Sequence, residues 1–127
     1  MTPETRWKSD QLTKVGKAEE LDIASQRRDG RLRDPVTIWV VRHGDDLYVR
    51  AVNGRNAVWF RGVQDRHEGR IEAGGVEQDV QLVESDDLND EIDAEYRKKY
   101  RAYAGRVLNS VLTRKAREAT LKLVPRA

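Results

Sequence analysis

The chain contains no cysteine, only two histidines, and one phenylalanine among its 127 residues. Without cysteine there are no disulfides, thiolate metal ligands or sulfur nucleophiles, and His43 and His67 alone cannot build a histidine-rich metal site. No apolar run approaches the ~20 residues that a membrane-spanning helix requires. Met1 to Asp10 is polar and lacks the apolar core of a signal peptide, so a soluble, cytoplasmic protein with no membrane partner is expected. Charge is abundant but balanced. The 24 basic and 22 acidic side chains leave a net charge of +2, too even for a nucleic-acid footprint, and no series of aromatics alternates with the bases to stack on them. The length fits a single domain, 1–127, with 1–8 as a polar lead-in that Trp7 pins to the body.

What the sequence does have is concentrated in Pro35 to Gly62, PVTIWVVRHGDDLYVRAVNGRNAVWFRG. Val36 to Val41 is apolar on both alternating faces, the pattern of a strand buried in a barrel or between layers. Leu47 to Val52 alternates Leu47, Val49 and Ala51 with Tyr48, Arg50 and Val52, which places a tyrosine and an arginine near the rim. The His43-Gly44-Asp45-Asp46 turn between the runs predicts an antiparallel hairpin. Asn53 and Gly54 tolerate left-handed backbone angles, and Asn56 reads as the N-cap of a short helix from Ala57 to Val63. That loop, with Arg55 beside free backbone N–H groups, either seats a phosphate or simply turns the chain.

Around this centre the pattern predicts a helix from Ser9 or Asp10 to Lys17 with Leu12 and Val15 inward, and a strand through Leu21, Ile23 and Ser25. Arg28-Asp29-Gly30 is a turn. Arg31 and Arg33 follow it, either on the rim of a pocket or solvated at a strand end. His67 to Ala73 and Val76 to Glu84 form a second hairpin across Gly74-Gly75, with Val76, Val80 and Leu82 inward. Ser85-Asp86-Asp87 caps a longer helix whose stripe is Leu88, Ile92, Tyr96, Tyr100 and Tyr103. Ala104 to Lys115 reads as a loop, and Ala119 to Val124 as a last strand stopped by Pro125. About six strands with few helices indicate an α+β protein built on a small antiparallel β-barrel with flanking helices.

Catalytic constellations are scarce. Asp45-Asp46 reads as a turn and Asp86-Asp87 as a helix cap, while His67 and Glu68 point to opposite faces of a strand. Serines 9, 25, 85 and 110 fit no nucleophile elbow. Any reaction would therefore be carried by a cofactor.

The order of Arg31 and Arg33, the Pro-Val-Thr-Ile-Trp-Val strand, the Gly-Asp-Asp-Leu-Tyr-Val partner, the Asn-Gly-Arg loop and the Ala-Val-Trp-Phe-Arg helix resembles the split β-barrel flavin and deazaflavin reductases. The likeness spans Asp22 to Val124 and is closest to a branch of small uncharacterised bacterial proteins. It departs from typical members in a shorter loop before Ala57 and in Arg27-Arg28-Asp29-Gly30-Arg31 standing where many carry a Thr-Gly-Arg-Lys-Ser-Gly type of motif. The resemblance implies FMN or a deazaflavin as cofactor and hydride transfer to a small electrophilic molecule. The alternative is a non-catalytic split barrel that binds another ligand or a partner chain. Carried over by position, Asn53, Gly54, Arg55 and Asn56 would hold the cofactor's phosphate, Arg33 and Thr37 would face the pocket, and Trp59 would pack near the ring system. It also implies a homodimer, for which the stripe Tyr96, Tyr100 and Tyr103 offers aromatic faces with polar tips.

Overall fold

The computed structural model describes residues 6–126. The lead-in expected at 1–8 lies outside them up to residue 5. Of the rest of it, Trp7 is buried and donates from its indole Nε1 to Leu123 O at 2.9 Å. Helix α1 (Ser9–Lys17) follows, burying Leu12 and Val15, and leads into β1 (Leu21–Ser25).

The expected strand Val36 to Val41 is two strands. β2 (Val36–Ile38) pairs antiparallel with β1, whereas β3 (Val41–His43) pairs with β4 (Asp46–Arg50). The seven-stranded sheet has the order β2-β1-β5-β6-β7-β4-β3, completed by β5 (Glu68–Ala73), β6 (Val76–Glu84) and β7 (Thr120–Pro125). β2 and β3 are thus opposite edges of the sheet although only Trp39 and Val40 separate them in the chain. Three Cα steps reach about 11 Å. The sheet must therefore curl until its edges nearly meet, forming an antiparallel barrel split at this seam, as expected of an α+β split barrel. The apolar character of residues 36–41 reflects the seam and not a central strand, and β2 itself is only half-buried.

The break at Trp39-Val40 leaves the buried Val40 peptide outside any strand ladder. Helix α3 (Asn89–Lys99) supplies its partners from its C-terminal end. Tyr100 Oη accepts from Val40 N at 3.2 Å, and Lys99 Nζ donates to Val40 O and to Ala18 O, each at 2.6 Å. Tyr100 also stacks on Trp39 with ring centroids 3.8 Å apart. A buried peptide group left unpaired would be costly, so these two side chains define where the sheet can open.

β4 is buried on both faces. Leu47, Val49 and Ala51 join the barrel core with residues such as Phe60, Val80, Leu82 and Leu121, while Tyr48 packs outward with Val41, Ile92, Tyr96, Tyr100, Leu108 and Val111. Arg50 lies in this outer layer and is buried, not at the rim. The reason is that α3, α4 (Arg106–Asn109) and the chain leading from α4 to α5 (Arg114–Arg117) cover the sheet here. Helix α4 and the start of α5 occupy the segment Ala104 to Lys115 expected as a loop. All five guanidinium N–H groups of Arg50 have acceptors: Thr120 Oγ1 at 3.0 Å, the Asp93 carboxylate, Val111 O at 2.9 Å, and Asn89 O and Oδ1 at 3.1 and 3.0 Å. One side chain therefore ties β4, β7, α3 and the segment between α4 and α5.

Two further boundaries differ. α2 (Val58–Arg66) is preceded by a 3₁₀ turn over Gly54–Asn56, and its N-cap is Ala57, not Asn56. α3 starts after Leu88 with no side-chain cap, because Ser85 Oγ bonds Asp87 instead. The hairpin across Gly74-Gly75 has the expected strands, except that the first starts at Glu68 because His67 is the left-handed C-cap of α2, and Val76, Val80 and Leu82 are buried. Among the described residues no helix is long and apolar enough to cross a membrane.

Replacing Arg50 by alanine leaves Asp93 buried without its main cation, which should cost about 3–5 kcal/mol in urea unfolding, the range for breaking a buried pair. Arg50→Lys should recover only part of that, since an ammonium has three donors for five acceptors. A loss below ~1 kcal/mol for the alanine variant would contradict this role for Arg50.

Burial pushes the Lys99 ammonium from its usual 10.5 down to about 8, against an opposing pull from Glu19. Between those values the unfolded chain binds more protons than the folded one, so the contribution of Lys99 to stability rises with pH across the window. Unfolding free energies of wild type and Lys99→Met at pH 7.5, 8.5 and 9.5 should diverge in favour of wild type. A constant difference would show that Lys99 keeps its ordinary titration.

Candidate functional site

A cavity of about 890 Å³ opens between the β1–β2 connection and the first turn of α2. Such a volume lies in the range of small-molecule pockets. Ile23, Pro35, Val36, Val58 and Trp59 give it an apolar wall, and Arg27, Arg28, Arg33, Asp29, Asp34 and Asp65 give it charge. Trp59 is half-buried and meets Phe60 edge-on at 5.9 Å between ring centroids. The adjacent positions thus divide the work: Phe60 enters the core and Trp59 faces the cavity.

Helix α2 directs its N-terminus here, since Ala57, Val58 and Trp59 all line the cavity. It has no side-chain cap and no acidic residue in its first turn. Its first intrahelical bond is Arg61 N to Ala57 O, so the earlier amides are left to other partners and carry the positive end of the helix dipole. An anionic group is favoured at such a place.

Arg33 forms the floor. Its Nη1 donates to Gln26 O at 2.8 Å and to Gly62 O at 3.4 Å, and its Nη2 pairs with the Asp65 carboxylate. Gly62 permits this, because a Cβ there would lie 3.1 Å from Arg33 Nε and 3.0 Å from Ser25 Oγ. The Arg33 hydrogen bond holds the Asp65 carboxyl below its usual range, with Arg28 adding to the effect. Arg28 Nε reaches Asp65 at 3.4 Å.

The residues singled out from sequence are not all brought together. Arg33, Asn53 and Trp59 line this cavity. Thr37 faces outward, donating to Asp22 Oδ1 at 2.6 Å, and borders a smaller depression of about 240 Å³ at the barrel seam. Gly54, at φ +79°, packs against Lys115, where a Cβ would meet Lys115 Cβ at 3.1 Å, and its N–H already donates to Ala51 O. Asn56 is exposed in the 3₁₀ turn. Arg55 pairs with Glu84, donates to Glu118 O at 3.3 Å and lies over the Phe60 ring at 5.3 Å. Its hydrogen bond to Glu84 raises the arginine's pKa and lowers the carboxyl's. Arg55 thus borders a separate depression of about 370 Å³ beyond the cavity. Arg28 and Asp65, central to the geometry, were not singled out as site residues. The run Arg27 to Arg33 was the available signal for the first, whereas Asp65 lies 32 residues from its partner Arg33.

Among the described residues no group of three or more His, Asp or Glu side chains is placed to hold a metal. Tyr96 and Tyr100, considered as a dimer contact, are buried against their own sheet, and Tyr103 is the exposed member of that stripe.

The fold is that of the split β-barrels. A structure described as an F420 reductase matches with a TM-score of 0.54 and 17% identity over 99% of this chain and 97% of its own. A protein of unknown function from Agrobacterium tumefaciens matches with a TM-score of 0.61 and 9% identity over the whole of this chain and 58% of its own. A FAD-binding protein from Mesorhizobium loti gives 0.51 and 13% over 94% and 88%. At these identities the likeness is one of fold. No protein with a curated description matches the sequence. The chain belongs to the family described as uncharacterized proteins conserved in bacteria (DUF2255), whose model matches residues 11–123.

Proposed function

We propose that the cavity between the β1–β2 connection and α2 binds a flavin-type cofactor, FMN or a deazaflavin, and that the protein is an oxidoreductase passing hydride to a small electrophilic molecule. The observation that carries this reading is the pairing, in one cavity, of an apolar wall containing Trp59 with an uncapped helix N-terminus and exposed arginines. A planar ring with a phosphate-bearing tail has both requirements. The split-barrel neighbours described as an F420 reductase and a FAD-binding protein support it.

In this reading Trp59, Val36 and Ile23 flank the ring, Asn53 offers an amide to its polar edge, and the α2 amides with Arg27 and Arg28 receive the phosphate. Arg33 holds the β1–β2 connection against α2 and so shapes the floor. The cofactor, when bound, supplies the hydride chemistry, while the protein's groups orient it and keep water from one face. The reading includes a homodimer. Val58 is 84% exposed at the cavity's edge, an apolar residue where a second copy could close the opening.

Titration of the purified protein with FMN and with a deazaflavin should quench Trp59 fluorescence saturably. Trp59→Phe should alter cofactor affinity or spectrum with little change in melting temperature, and Arg55→Ala should leave affinity within about twofold, because Arg55 borders a separate depression beyond the cavity. A protein whose spectrum shifts with neither cofactor would favour a non-catalytic split barrel instead. Sedimentation equilibrium at tens of micromolar should give twice the chain mass, and the single-chain mass would remove the dimer.

A further inference from the structure

The cavity holds as many acidic as basic side chains, but they are not equivalent. Asp29 is turned onto Arg31, accepting from its N–H at 3.0 Å and its Nε at 2.9 Å. Asp34 has no ion pair among the described residues, and neither has Arg27. Asp65 holds two cations of different kinds. Arg33 is built in, with Gln26 O and Gly62 O keeping it in place. Arg28 is borrowed, since its one contact with Asp65 is 3.4 Å long and 86% of its side chain is exposed.

We infer that Asp65 competes with the ligand's anionic group for Arg28, and so sets how strongly the cavity discriminates a phosphorylated ligand from its unphosphorylated counterpart. This rests on the flavin-type reading above. Exposed ion pairs are weak, so exchanging Asp65 for a phosphate at Arg28 costs little. A phosphate offers three oxygens and up to two charges to the guanidinium fork, against one carboxylate. Arg33 stays in place, because both hydrogens of its Nη1 go to the Gln26 and Gly62 carbonyls and its side chain lies against α2 where Gly62 has no Cβ. Arg33 is therefore a positioning residue, Arg28 the arm that recognises the anion, and Asp65 the specificity-determining residue that weakens that recognition.

Three probes separate the contributions: FMN, riboflavin, which has the same ring without the phosphate, and inorganic pyrophosphate, which needs no ring site. Flavin affinities are read by fluorescence and pyrophosphate by calorimetry, for wild type, Asp65→Asn, Arg28→Ala and the double variant. Asp65→Asn should tighten FMN and pyrophosphate by about three- to fivefold, the scale of one exposed ion pair, while riboflavin stays within about 1.5-fold. Arg28→Ala should weaken pyrophosphate at least about fivefold with an unchanged melting temperature, and in the double variant the gain from Asp65→Asn should vanish. The Arg28→Ala arm stands even if Asp65→Asn does not fold. FMN and riboflavin responding alike to Asp65→Asn, or pyrophosphate indifferent to Arg28→Ala, would overturn the inference. Pyrophosphate following the expected order while neither flavin binds would uphold the competition at Arg28 and remove the flavin reading. Both flavins binding without difference among the variants would do the reverse.

Discussion

The peptide of Val40 is the point on which the barrel depends. A chain that leaves one edge of a seven-stranded sheet and enters the other within two residues cannot keep its backbone in a ladder, yet Val40 is buried. Its N–H and C=O are taken by Tyr100 Oη and Lys99 Nζ, sixty residues further on. Burial raises the Tyr100 hydroxyl well above its ordinary titration, so it stays protonated and can donate to Glu19 O at 2.6 Å while accepting from Val40. The seam, the junction of α1 with β1 and the end of α3 are thereby one hydrogen-bonded unit.

From that seam follows the two-layer character of β4. Once α3 is anchored at its C-terminal end, its body lies over the outer face of β3 and β4, and side chains that an isolated hairpin would show to water become a second core. Arg50 is acceptable there only because five acceptors converge on it from three segments. A buried arginine missing one or two of those partners would destabilise the layer it now organises.

The cavity lies on the other side of the molecule's logic. There the β1–β2 connection is held by Arg33 against α2, and the close approach depends on Gly62 having no side chain. The helix start is uncapped and free of acids, so the positive end of its dipole faces the cavity. Apolar surface, amide donors and guanidinium groups meet because one arginine ties a loop to a helix.

Strand and helix periodicities were legible wherever local pattern and burial agree. The hairpin across Gly74-Gly75, helix α1 with Leu12 and Val15, and the split-barrel class all follow from alternation, turn residues and a recognisable order of segments. The division of residues 36–41 was not legible, because an apolar run looks the same whether it pairs with one partner or with two at opposite edges. Burial of Tyr48 and Arg50 was hidden for a related reason, since alternation cannot say what covers the outer face. At the cavity, Arg33, Asn53 and Trp59 could be named from their segments, but Arg55 could not be assigned to Glu84, nor Asp65 to Arg33 and Arg28, because each pair closes across roughly thirty to forty residues. The sequence by itself determined α1, the hairpin of β5 and β6, their inward faces and, through the order of its segments, the split-barrel class, because these depend on neighbours in the chain. Only the tertiary structure decided which charges are spent on one another and which face the cavity, because an ion pair depends on distances that closure of the barrel creates.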